Sequence, residues 1–295
     1  MKITNRHNLP QPFVDLASAN TYSAGDADIT TTSLFMPPKI RELMKRHGDK
    51  VTEDCSDMVW SILGTATHAM IEEIAKADGE NYVAEVRYYM QIEGKKLGGQ
   101  IDLYDRRSKR LYDFKVTSVY KYLSGEREEW TCQANVNRLL CQRNGLEVNS
   151  ASILLIAKDW RKFDAKTKPD YPPCAIIEIP LEIWTEEKTL GYITERIKLH
   201  DSAETQPDSK IPHCTPSERW ATPTTYVVKK TQTSKRSVAN GSYGSLAEAQ
   251  SHAGSIRGTV ERREGIDKRC SEYCRVNSFC SYYQKRHSMI EFDWK

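Results

Sequence analysis

At 295 residues the chain is long enough to bury a sizeable core, and its 43 Lys and Arg against 40 Asp and Glu leave a formal charge of +3, too small by itself to argue for nucleic-acid binding. No run of about 18 apolar residues occurs, and the first residues, Met1-Lys-Ile-Thr-Asn-Arg-His7, lack the apolar stretch of a signal peptide. A soluble, cytoplasmic protein without a membrane partner is expected. Eight cysteines in that setting read as thiols and metal ligands rather than as a disulfide framework.

Residues 1–28 are rich in Asn, Pro, Ser, Ala and Thr without a clear period, and predict an irregular arm. Thr30 to Ser33 offers helix caps, Pro37-Pro38 marks a first turn, and Lys39 to His47 continues as a basic amphipathic helix that Gly48 ends. A second helix is predicted over Ser56–Asp78, with apolar residues at Met58, Ile62, Leu63, Ala66, Ala69, Met70 and Ile74 and a histidine at position 68. Val83 to Gln91 alternates as a strand; its Glu85 points either into a site or into an edge-strand ion pair.

The stretch Gly98 to Lys115 then reads as two short strands around the charged bend Arg106–Lys109. Asp113 and Lys115, two residues apart, share a face, and Asp102 comes alongside from the neighbouring strand. Two carboxylates and a lysine in that arrangement suit hydrolysis of a phosphodiester. The carboxylates hold a hard divalent cation, and the lysine orients water or offsets developing charge.

Tyr120 and Tyr122 follow in a polar, aromatic segment of the kind that stacks on nucleic-acid bases, and Trp130–Asn144 is a helix ended by Gly145. Ala151–Ala157 is apolar enough for a buried central strand, Lys158–Pro173 is a charged loop, Ala175–Ile179 a strand and Leu181–Leu199 a helix. The order of elements predicts an α/β sandwich with a mixed sheet.

Cys270, Cys274 and Cys280, spaced C-x3-C-x5-C, imply one bound metal centre that needs a fourth ligand, either Cys214 or Cys55. Cys214, in a turn-rich segment, is the preferred choice. Four thiolates serve a zinc ion or an iron–sulfur cluster alike. Cys132, Cys141 and Cys174 have no clustered partners and read as packing residues. Charge is unevenly spread: from Gln206 onward 15 Lys and Arg face 9 Asp and Glu, whereas the first 205 residues carry 28 against 31. Between Cys214 and Cys270 a hairpin (Thr224–Lys230 and Lys235–Asn240), a helix (Ser245–Ser255) and a strand (Thr259–Arg263) are predicted. They carry Lys229, Lys230, Lys235, Arg236, Arg257, Arg262 and Arg263, a cationic surface suited to a phosphate backbone.

The ordered set Gly64-x-x-x-His68, Gly99-x-x-Asp102, Asp113-Phe114-Lys115 and Gln133 on a helix resembles the PD-(D/E)XK nuclease superfamily, in its RecB-like branch. Asn137 stands where that branch has a tyrosine. The resemblance implies a restriction-endonuclease-like core over 29–205 and a cysteine-cluster region over 206–295. His68, Asp102, Asp113 and the Phe114 carbonyl would hold magnesium or manganese, Lys115 would position the hydrolytic water and Gln133 would orient substrate. The cysteine trio resembles that of AddB-like and CRISPR adaptation nucleases, which favours a structural [4Fe-4S] cluster over zinc. Together these resemblances imply a deoxyribonuclease, an exonuclease on DNA ends or single strands, of a bacteriophage or mobile element. A catalytically silent DNA-binding adaptor of the same fold is the alternative.

Overall fold

The computed structural model describes residues 2–19 and 23–292; Met1 and residues 20–22 of the expected arm lie outside it. The arm is not irregular: it contains a strand, β1 (Lys2–Thr4), and a helix, α1 (Gln11–Ala19). β2 (Ile29–Thr30) leads into α2 (Thr31–Phe35), where the Thr30 hydroxyl accepts from the Ser33 amide and Ser33 reaches back to the Thr30 amide. α3 (Pro38–His47) places a proline at its first position, as the pair Pro37-Pro38 predicts. β3 (Thr52–Asp54) and a 3₁₀ turn over Cys55–Met58 precede α4 (Val59–Ala77).

β4 (Tyr82–Ala84) and β5 (Arg87–Ile92) replace the single strand expected over Val83–Gln91. The break falls at Glu85, whose φ of 54° is in the left-handed region that a strand does not tolerate. β6 (Lys95–Gln100), β7 (Leu103–Asp105), β8 (Arg110–Thr117), α5 (Val119–Leu123) and α6 (Glu128–Arg143) come next. β9 (Ser150–Ala157), α7 (Lys162–Thr167), β10 (Ile176–Pro180) and α8 (Glu186–Glu204) close this part of the chain. The loop expected over Lys158–Pro173 thus holds a short helix.

The main sheet runs in the order β10-β9-β8-β7-β4 and is mixed: β8 and β9 are parallel, the other pairs antiparallel. As its apolar run predicts, β9 is flanked by strands on both sides. α6 packs one face through Trp130, Ala134 and Cys141 against Leu111, Ala151, Ile153 and Leu155. The other face of β8 meets α4, where Phe114 and His68 lie edge to face. This helix–sheet–helix layering is the α/β arrangement expected. A second sheet, β2-β6-β5, packs on α6 and α8 through Ile29, Leu97, Leu140, Ile193 and Ile197.

Two compact units emerge. The first comprises residues 1–36 and 48–205; the second comprises 206–295 together with residues 37–47, so α3 belongs with the C-terminal part of the chain. In the second unit β11 (Thr225–Lys229), β12 (Ser242–Tyr243) and β13 (Thr259–Arg263) form a sheet of order β12-β11-β13. α9 (Leu246–Ile256) packs on it through Ala249 and Ala253. The strand expected over Lys235–Asn240 is absent there; β11 pairs with Ser242–Tyr243 instead. α10 (Ser281–Phe292) follows the last cysteine. Among the described residues no helix is long and apolar enough to cross a membrane.

Gly99, near the end of β6, lies where α2 and α6 come closest to the strand. A Cβ there would collide with Thr31 Oγ1, Asn137 Oδ1 and Leu140 Cδ1. Gly99→Ala is therefore expected to cost about 1–3 kcal/mol in denaturant unfolding; an unchanged midpoint would contradict this packing.

Candidate metal centre and thiol pocket

Pairing between β7 and β8 runs from Asp105–Arg110 to Leu103–Tyr112 and stops there. Beyond that point the Phe114 amide donates to a side chain instead of a strand: Asp102 Oδ2 accepts it at 2.7 Å. The other oxygen, Oδ1, lies 3.7 Å from His68 Nδ1. His68 comes from the middle of α4, and its Nδ1 is 2.8 Å from Glu85 Oε1. The second Glu85 oxygen accepts from Gln100 Nε2 at 2.5 Å. Ligand atoms of His68, Glu85 and Asp102 all fall within 4.8 Å of one another. The left-handed backbone at Glu85 is what turns its carboxylate away from a strand edge and onto His68.

Asp113 and Lys115 share one face of β8, and Lys115 Nζ is 2.6 Å from Asp113 Oδ2. The Asp102 and Asp113 side chains are 13% and 14% exposed, so water screens their repulsion poorly. Burial, then the Asp113 charge, pushes the Asp102 carboxyl up to about 7, against the opposing pull of His68, Lys115 and the Phe114 amide. The Glu85 hydrogen bond raises His68, and Asp102 and Asp113 add to this against burial. Burial pulls Lys115 down, but Asp113 and Asp102 outweigh it and the net shift is upward, so the lysine stays charged.

His68 and Asp102 are thus brought together in one donor set, while Asp113, expected as a further ligand of the cation, stays outside it and pairs with Lys115 beside it. Glu85, left open between two roles, joins the donor set; an acid one strand ahead of the hairpin was its only signal in the sequence. Gln133 is half-buried on α6 one turn beyond Glu129, whose charge acts on Lys115; among the described residues it makes no hydrogen bond to the site. Asn137 is buried and its Nδ2 donates to the Gln100 carbonyl at 3.5 Å. Tyr120 is 73% exposed. Lys230, Lys235 and Arg236 are exposed in the connection between β11 and β12. Lys229 is not an open cation: its ammonium is paired with Glu261 on the neighbouring strand, and its side chain is 12% exposed.

In the second unit Cys214, Cys270, Cys274 and Cys280 line one pocket, together with Lys39, Ile40, Leu43, Arg219 and Arg269. Burial, then Glu218 and the other three sulfurs, pushes the Cys214 thiol up to about 12; burial, then Asp267, takes Cys270 to about 11, and burial raises Cys274. The alternative fourth ligand, Cys55, is fully buried in the first unit with Ala17 and Met58, and its thiol approaches Asn5 Oδ1 at 3.6 Å. Cys132 and Cys141 are buried, as packing residues should be, whereas Cys174 is exposed and fills no core.

No family model and no curated protein matches the chain. Among solved structures, the crystal structure of SSO0001 aligns with 70% of this chain and 92% of its own, at 16% identity and a TM-score of 0.46. The chemistry of the centre therefore rests on its own geometry.

A carboxyl held near 7 in the folded chain but near 3.8 unfolded is ionised first in the unfolded state, so this group lowers the stability of cation-free protein as pH rises from about 4 to about 7. Asp102→Asn removes that penalty. In chelator-treated protein the variant should melt above wild type at pH 8 and show no advantage near pH 4; a lower melting temperature at pH 8 would contradict the assignment.

Proposed function

We propose that this chain is a divalent-cation-dependent nuclease of the PD-(D/E)XK type. The observation that carries the reading is the convergence of His68, Glu85 and Asp102 within 4.8 Å, beside the Asp113–Lys115 pair on β8. The donor set fits one cation: ligands about 2.1 Å from an ion sit at most about 4.2 Å apart, close to the spacings of His68 to Glu85 and Asp102. One imidazole among carboxylates suits manganese at least as well as magnesium. When bound, the ion would supply Lewis-acid charge to a phosphate oxygen and to a water.

The remaining work falls to the protein. Asp102, fixed to the Phe114 amide, offers one oxygen to the cation while the backbone holds the other. A residue's amide and carbonyl leave a strand on the same side, so the Phe114 carbonyl would complete the set, as the resemblance implies. Asp113 holds the Lys115 ammonium where it would hydrogen-bond the attacking water and offset charge on the phosphate. Gln133 would orient substrate from α6, and Tyr120, Lys230, Lys235 and Arg236 would contact single-stranded or end-frayed DNA by stacking and ion pairing.

The four thiols of the second unit are proposed to hold a structural metal centre. Four thiolates serve a zinc ion or an iron–sulfur cluster alike, and the resemblance of the cysteine trio to that of AddB-like nucleases is what favours a [4Fe-4S] cluster.

With manganese or magnesium present, wild type should degrade end-labelled single-stranded or duplex DNA. Lys115→Ala and Asp113→Ala should each lose at least about a hundredfold in rate while retaining DNA binding. Wild type inert with every divalent cation but still bound to DNA would favour the adaptor reading. For the thiol centre, Cys214→Ser should lose bound metal and Cys55→Ser should keep it; the reverse outcome would exchange the two ligands.

A further inference from the structure

Lys39 is the largest side chain in the fully buried core of the described residues, with its side chain 1% exposed. Its ammonium lies 2.7 Å from Asp208 Oδ1, donates to the Asp208 carbonyl at 2.6 Å, and reaches the Ile211 carbonyl and Ser281 Oγ at 3.5 and 3.4 Å. The second Asp208 oxygen accepts from the Ser281 amide at 2.9 Å. Asp208 and Ile211 lie on the approach to Cys214, and Ser281 directly follows Cys280. One ammonium therefore ties together the two stretches that deliver the first and last thiols, which are distant in sequence. The helix that carries it, α3, also lines the thiol pocket through Ile40 and Leu43.

Cys270 and Cys274 are held by other means: Asn277 Nδ2 donates to the Cys270 carbonyl at 2.9 Å, and the Asn277 amide donates to the Cys274 carbonyl at 3.3 Å. A buried ion pair of this kind adds little net stability compared with apolar packing, so its contribution is to arrangement. We infer that Lys39 is a positioning residue for the thiol centre: through Asp208 it sets the separation of Cys214 and Cys280 and so governs how firmly the centre keeps its metal. This inference rests on the reading of the four thiols as a metal centre.

The test compares full-length wild type, Lys39→Met, Asp208→Asn and the control Val228→Ala, all purified anaerobically as monodisperse, protease-resistant material. Val228 is a buried β11 residue that weakens the second unit without touching the thiols. Iron and zinc per chain are measured, then the rate of metal release to a chelator, followed by visible absorption or a colorimetric zinc probe. Lys39→Met should release metal at least tenfold faster than wild type and Asp208→Asn by an intermediate factor, with Val228→Ala unchanged. Manganese affinity at His68, Glu85 and Asp102 should stay the same in all four. Release from Lys39→Met at the wild-type or the Val228→Ala rate would overturn the positioning role and leave the metal centre standing. Wild type that carries neither iron nor zinc and binds neither on addition would overturn both.

Discussion

The candidate centre depends on a place where strand pairing gives out. β7 begins at Leu103, two residues short of the position opposite Phe114, and the Asp102 carboxylate supplies the missing acceptor for the Phe114 amide. A buried amide must find a partner, so this hydrogen bond locks the carboxylate to the backbone of the strand that also carries Asp113 and Lys115. The same lock presses one negative group against another in a poorly hydrated pocket, and the upward shift of Asp102 records the cost. His68 and Lys115 offset part of that repulsion. A divalent cation would offset it better, since it interacts with all the carboxylates at once.

Much of this was legible in the sequence. Alternation around Arg106–Lys109 identified the hairpin, the two-residue spacing of Asp113 and Lys115 put them on one face, and the apolar run at β9 marked the centre of the sheet. Helix caps at Thr30 and the proline at the start of α3 were equally readable. Glu85 was legible only as one of two roles, because its contacts to His68 and Gln100 go with a positive φ at a non-glycine residue, which local propensity does not announce. The helix at Lys162–Thr167 was missed because so short and polar a segment is fixed by what it packs against and carries no period; α1, although it packs Phe13, Val14 and Ala17, is only nine residues long.

The second unit shows where counting charges misleads. Its excess of Lys and Arg suggested a broad cationic face, yet Lys229 and Arg263 both pair with Glu261, and Arg262 pairs with Glu264. Ion pairs across the sheet and along β13 engage its own charges. What remains open among the named cations is Lys230, Lys235 and Arg236 in the connection after β11, and Arg257 at the end of α9. Sequence also concealed that α3 belongs with this unit, because nothing in an amphipathic helix says which part of the chain will bury its apolar side.

The most direct measurement on the central claim is an anomalous difference map from crystals of the full chain grown with manganese. A peak within bonding distance of His68, Glu85 or Asp102, with a further contact to Asp113 or the Phe114 carbonyl, is the expected result. A clean map at that position, with manganese bound elsewhere or not at all and the five groups still paired among themselves, would contradict a cation-dependent centre.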